Sequence, residues 1–139
     1  MITLFSHESK IRVRYSETDQ MGYCYYGNYA TYFEVGRVEA MRSIGMSYKA
    51  IEESGKMLPV ISYKVDFLSP AYYDDLLTIK TTINKIEGAK LYFNYEIYNE
   101  SRLKLCKAET ILVFINAQSK KPTQAPKELF KLLQEYELK

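Results

Sequence analysis

The chain has 139 residues, 47% hydrophobic and 26% charged, which provides apolar material for one buried core and excludes disorder. A formal charge of +2, with Lys and Arg scattered among Asp and Glu, excludes the basic stripe of a nucleic-acid binder. No apolar run reaches the length of a membrane span, the N-terminus lacks a signal-peptide pattern, and Cys24 and Cys106 form neither a disulfide framework nor a metal spacing, so a cytoplasmic protein without stable membrane insertion is expected.

Ile11, Val13 and Tyr15 alternate with Arg12, Arg14 and Ser16, which predicts a short half-buried strand. The sole histidine, His7, precedes it and is expected to be solvent-exposed at a frayed end. Its position leaves no histidine for a Ser-His-Asp triad, a Cys-His pair or a His-rich zinc site. A loop from Glu17 to Gly27 follows. Tyr29, Tyr32, Phe33, Gly36, Ala40, Met41 and Ile44 then recur at three- and four-residue intervals, marking the apolar face of a long helix. Asn28 is the expected N-cap and Gly45 the terminator. Ser47 caps a short second helix, stapled by Met46 and Ile51 and closed by Gly55.

From Pro59 the period changes to two. Ile61, Tyr63, Val65 and Phe67 alternate with polar residues, as do Leu77, Ile79, Thr81 and Ile83, and then Leu91, Phe93, Tyr95 and Ile97. Turns are expected at Gly88 and at Asn99 to Arg102. The last strand, Leu103 to Ile115, ends in the apolar run ILVFI, which predicts burial on both faces. Pro126 leads into a C-terminal helix carrying Leu129, Leu132, Leu133 and Tyr136. A long helix followed by four strands is an α+β pattern, in a single domain over residues 1–139. The 14 tyrosines fit strand packing as well as a cleft or subunit interface.

The segment YSETDQMGYCYYGNYATYFEVGR, Tyr15 to Arg37, holds the chemistry. It sets one carboxylate, Asp19, in a loop that runs through Gly22 and Gly27 into the start of the long helix. The free N–H groups there suit a substrate oxygen that gains negative charge. Of the other acids, Glu17 is expected to point away into solvent. Glu34 is expected to pair with Arg37 on the helix surface rather than face an acyl pocket. Cys24 has no base near it in sequence and reads as an inert small residue.

The set Asp19, Gly22, Tyr25, Tyr26, Gly27, Asn28 and Tyr29, followed by a helix, resembles the motif of the hotdog-fold acyl-CoA thioesterases. The resemblance is to the hydroxybenzoyl-CoA thioesterase group and its Tol–Pal-associated relatives. Leu58 to Ile79, LPVISYKVDFLSPAYYDDLLTI, is similar to a second stretch of that family, so nearly the whole chain is covered. The resemblance implies a hotdog fold, a long helix wrapped by an antiparallel sheet. It also implies a homodimer or homotetramer with active sites at the subunit interface, and no metal or redox cofactor.

By the same resemblance Asp19 is the catalytic carboxylate, which either attacks the thioester carbonyl or activates a water. The Tyr26 backbone N–H is the oxyanion donor, with Gly27 allowing close approach and Asn28 organising the site. Val60, Ser62 and Lys90 are possible contacts for the substrate, Lys90 for the CoA phosphates. Many relatives carry His where this chain has Tyr26, and a neutral Tyr hydroxyl only donates or accepts a hydrogen bond. The activity implied is hydrolysis of an acyl-CoA thioester. Its alternatives are an acyl-carrier-protein thioesterase and a non-catalytic acyl-thioester-binding protein.

Overall fold

In the computed structural model, which describes residues 4–137, a long helix lies across one face of an antiparallel sheet. The strands are β1 (Phe5–Arg12), β3 (Val60–Phe67), β4 (Leu76–Glu87), β5 (Lys90–Tyr98) and β6 (Lys104–Val113), in the spatial order β1-β4-β5-β6-β3. Two short strands, β2 (Lys56–Met57) and β7 (Ile115–Asn116), pair with each other beside it. The helices are α1 (Tyr29–Ile44), α2 (Tyr48–Glu53) and α3 (Lys127–Glu137). No helix among the described residues is long and apolar enough to cross a membrane.

The helical period of the sequence corresponds to the buried face of α1. Tyr29, Tyr32, Phe33, Ala40 and Met41 are buried against Leu77, Ile79 and Ile83 of β4 and Leu91, Phe93, Tyr95 and Ile97 of β5 in one core. Each Leu, Ile, Phe or Met among them contributes about 1.5–3 kcal/mol by leaving water. Gly36 marks the closest crossing. A Cβ there would lie 2.5 Å from Thr81 Oγ1 and 2.9 Å from Ile79 Cγ2, so only hydrogen fits between helix and strand. Gly45, in the left-handed region at φ 104°, ends α1, and Ser47 Oγ accepts the Ala50 N–H at 3.1 Å to start α2.

Four local expectations differ from the structure. Strand β1 begins earlier than the Ile11–Tyr15 alternation suggests and ends at Arg12, because Tyr15 enters a 3-10 turn. His7 is not on a frayed end. It pairs with Thr81 across β1 and β4, is partly buried, and its Nδ1 has no hydrogen-bond partner among the described residues. Asn28 precedes α1 but makes no capping bond with its side chain, since a 3-10 turn (Tyr26–Asn28) feeds the helix directly. The run ILVFI is not buried on both faces. Leu112 and Phe114 are buried while Ile111 and Val113 are only partly covered, because no second layer of the described residues packs on the outer side of β6.

Strand β3 sits at the sheet edge and pairs only with β6. Its alternation predicts one covered face, yet Val60, Ile61, Tyr63 and Phe67 are all exposed in the isolated chain. An edge of this kind presents unpaired backbone groups beside apolar side chains.

Candidate active site

The loop between β1 and α1 is shaped by its own carboxylates. Asp19 Oδ1 accepts the N–H groups of Met21 at 3.0 Å and Tyr23 at 3.2 Å, while its backbone N–H donates to Tyr23 O at 2.8 Å. Gly22, at φ +82°, supplies the left-handed residue that this tight turn demands. Asp19 Oδ2 meets no donor among the described residues. The far side of the loop is tied to the β3–β4 connection by a bridge between Tyr23 and Tyr72 and by the Cys24 N–H, 2.7 Å from Ala71 O.

Glu17 does not point into solvent; it is 7% exposed. Its Oε1 accepts the Arg14 N–H at 2.8 Å and the Tyr32 hydroxyl at 2.9 Å, and its Oε2 accepts two donors of the Arg14 guanidinium. Burial pushes the Glu17 carboxyl upward, but the hydrogen bonds from Arg14 and Tyr32 and the Arg14 charge outweigh it and hold the group below the usual carboxylate range. The Glu17 carbonyl accepts both Tyr25 N at 2.8 Å and Asn28 Nδ2 at 2.7 Å. Asn28 therefore organises the loop by reaching back to Glu17. An Arg–Glu spacing of three residues was the available sequence signal, because in a turn it closes an ion pair over a buried carboxylate.

Asp19 and Tyr26 line the same cleft, of about 300 Å³. The loop contributes Met21, Tyr23 and Cys24 to its wall, and α1 contributes Tyr29. The opposite wall is Phe67, Leu68, Ser69 and Pro70, from the end of β3 and the turn beyond it. These four were not singled out from the sequence; an apolar strand that ends in Ser-Pro carries no chemical signature. The Tyr29 and Phe67 rings meet edge to face at 5.0 Å and floor the cleft. The backbone N–H groups of Tyr26 and Gly27 open the 3-10 turn and meet no backbone acceptor among the described residues. Gly27 lies against the Tyr25 ring, where a Cβ would approach to 2.6 Å.

Cys24 is buried, and its thiol is pushed above the usual range chiefly by that burial, so it stays protonated beside the cleft. The expected Glu34–Arg37 surface pair does not form. Glu34 is exposed, whereas Arg37 is buried with its guanidinium facing the hydroxyls of Tyr48 and Tyr95.

Val60, Ser62 and Lys90 lie elsewhere in the same chain. Val60 and Leu91 both pair with Leu112, and Lys90 pairs with Val113, which gathers the three residues at one end of the sheet. Phe67, at the cleft, is at the other end of β3, about 23 Å away along an extended strand.

The sequence pattern of the thioesterase-like superfamily matches residues 13–133. The chain is 35% identical over 120 residues to YneP of Bacillus subtilis (strain 168), a candidate acyl-CoA thioesterase; the match covers 85% of this chain and 87% of YneP. It is 31% identical over 119 residues to the acyl-CoA thioester hydrolase YbgC of Escherichia coli O6:H1, covering 86% of this chain and 89% of YbgC. Among solved structures, the DHNA-CoA thioesterase of Staphylococcus aureus superposes with a TM-score of 0.89 at 29% identity, over 96% of this chain and 91% of that one. The helix-on-sheet architecture, the cleft beside the first turn of α1 and these matches agree: the chain belongs to the thioesterase-like superfamily, has the hotdog fold and is a thioesterase.

Proposed function

We propose that this thioesterase hydrolyses an acyl-CoA to the free acid and CoA, with Asp19 and the Tyr26 N–H as its reactive pair. The observation that carries the reading is the shared cleft. It is lined by Asp19, whose Oδ2 has no donor among the described residues, and by Tyr26, whose N–H has no backbone acceptor among them. A thioester carbonyl set between them meets Asp19 at its carbon and the Tyr26 N–H at its oxygen. Asp19 either attacks that carbon, giving an anhydride that water then opens, or takes a proton from the attacking water. In both cases the tetrahedral oxyanion is held by the backbone donor, and its collapse expels the CoA thiolate. One such donor is worth about a hundred- to a thousandfold in rate. YneP and YbgC are named for acyl-CoA substrates, which favours CoA over a carrier protein as the thiol.

The test is thiol release from short, long and aromatic acyl-CoAs by the purified protein and by Asp19→Asn. The variant is expected to fold normally and lose about a hundredfold or more in kcat. Unchanged turnover removes Asp19 from the mechanism, and inactivity of the unaltered protein on every acyl-CoA leaves the binding reading in its place. Comparing kcat/KM on matched acyl-CoA and acyl-carrier-protein donors separates those two substrates.

The working form is a homodimer joined through β3, in this reading. Antiparallel pairing of two β3 edges about their centre sets Val60 of one copy opposite Phe67 of the other. The Val60, Ser62 and Lys90 end of a second copy is thereby brought to this cleft. The bare apolar edge of β3 supports this arrangement. Ile61→Lys is expected to shift the protein toward monomer in sedimentation and to lower activity with it; an unaltered dimer would remove β3 as the joint.

A further inference from the structure

Glu17 takes no part in the chemistry above, yet it makes more hydrogen bonds than any other side chain of the loop. Its carboxylate holds the exit of β1 through Arg14 and the first turns of α1 through Tyr32. Its carbonyl holds Tyr25 and Asn28, the residues on either side of Tyr26 and Gly27. Asp19 follows it by two positions. One residue thus ties together the exit of β1, from which the Asp19 loop departs, and the turn that carries the Tyr26 and Gly27 N–H groups.

We propose that Glu17 is a positioning residue for thioester hydrolysis: by bonding Arg14, Tyr25, Asn28 and Tyr32 at once, it sets the separation between the Asp19 carboxylate and the Tyr26 N–H. This inference rests on the reading of Asp19 and Tyr26 as the reactive pair.

The chemistry favours an anion at this place. Arg14 N and the Tyr32 hydroxyl converge on Oε1, and the Arg14 guanidinium meets Oε2, so every contact of the side chain is a donor aimed at an acceptor. A carboxylate satisfies all of them, whereas an amide turns N–H groups toward the guanidinium. The Tyr32 hydroxyl also lies 3.2 Å from Cys24 Sγ, and Cys24 is fixed to Ala71 through its backbone. The bond chain therefore continues from Glu17 to the wall of the cleft on the β3–β4 side. An error of about an ångström in such a frame changes a rate by on the order of a hundredfold while binding elsewhere on the substrate is unaffected.

The experiment compares Glu17→Gln in the unaltered protein and in Asp19→Asn, with thiol release from one acyl-CoA as the readout and rates normalised to folded protein. Glu17→Gln alone is expected to lower kcat by on the order of ten- to a hundredfold, with KM within about twofold. In the Asp19→Asn background the same change is expected to lower the residual rate by less than about threefold, because the group it positions is gone. Equal losses in both backgrounds overturn the proposal while leaving Asp19 in its role; so does a loss that appears in KM alone. Full turnover by Asp19→Asn overturns both readings together. Should Glu17→Gln fail to fold, Tyr32→Phe removes a single donor to Oε1 and carries the test: kcat falls several-fold at unchanged KM, and an unchanged kcat overturns the proposal.

Discussion

The hydroxyl of Tyr32, on the buried face of α1, donates to Glu17 Oε1 across 2.9 Å and so joins the core helix to the loop that carries Asp19. The acceptor is a carboxylate, which makes the bond charge-assisted, and the burial of both residues shields it from competition by water. Tyr32→Phe fills the same space without the donor. Equilibrium urea unfolding is expected to show a loss of about 1.5–3 kcal/mol, the range for a hydrogen bond to a charged group.

Acid should weaken the same junction. Glu17 is held below the ordinary carboxylate range, so its contribution is fully present above the unfolded value of about 4.3 and is lost as pH falls through its lower folded value. The groups that face it do not titrate in that window: Arg14 and Tyr32 are both raised above their usual values, as is Cys24 behind Tyr32. Urea midpoints measured from pH 6 to pH 3 should therefore fall less steeply for Glu17→Gln than for the unaltered protein.

Asp19 has one oxygen committed to the loop and one without a donor among the described residues, and two substitutions separate the loop from the proposed chemistry. Asparagine keeps an Oδ1 acceptor for the Met21 and Tyr23 N–H groups, so Asp19→Asn should match the unaltered protein in melting temperature while losing turnover. Alanine leaves both N–H groups without their acceptor. Asp19→Ala should lose about 1 kcal/mol of stability as well, read as a lower urea midpoint.

Gly36 is predicted to be intolerant of even a methyl group. Its Cβ would enter between Ile79 and Thr81, and Ile79 and Thr81 are themselves completely buried with no room to retreat. Gly36→Ala should cost about 1–3 kcal/mol by overpacking, in spite of the better helix propensity of alanine. A thermal melt of the variant checks it.

The sequence disclosed the fold through periodicity, and it did so where burial is one-sided. Tyr29, Tyr32, Phe33, Ala40 and Met41 repeat at helical spacing because a single stripe meets the sheet, and Leu91, Phe93, Tyr95 and Ile97 alternate because β5 has one covered face. The pairing of Asp19 with Tyr26 in one cleft was legible because both lie in a short stretch of loop. Contributions from a distance were not. Phe67 and Ser69 reach the cleft only through tertiary folding, and the burial of Glu17 depends on Arg14 and on Tyr32, 15 residues further along the chain. Alternation in β3 marks the face turned toward α1, where Tyr63 and Phe67 meet Phe33 and Tyr29, yet Ile61, Tyr63 and Phe67 stay exposed because α1 covers that edge only in part. His7 reads as a loose terminal residue until β4 is seen to run alongside it.

The two borders of the sheet are unlike in character. Along β1 the outward positions Glu8 and Lys10 carry charge, and α3 closes in where the Tyr136 ring meets Phe5 at 4.5 Å. Along β3 the exposed side chains are mixed, with Val60, Ile61, Tyr63 and Phe67 beside Lys64 and Asp66. The dimer proposed above would consume the β3 border of both chains and leave outside the β1 borders, whose exposed positions are Glu8, Lys10 and Arg12. In the proposed dimer, propagation into a fibre would thereby be blocked, and the joint that completes the cleft would also end the growth of the sheet.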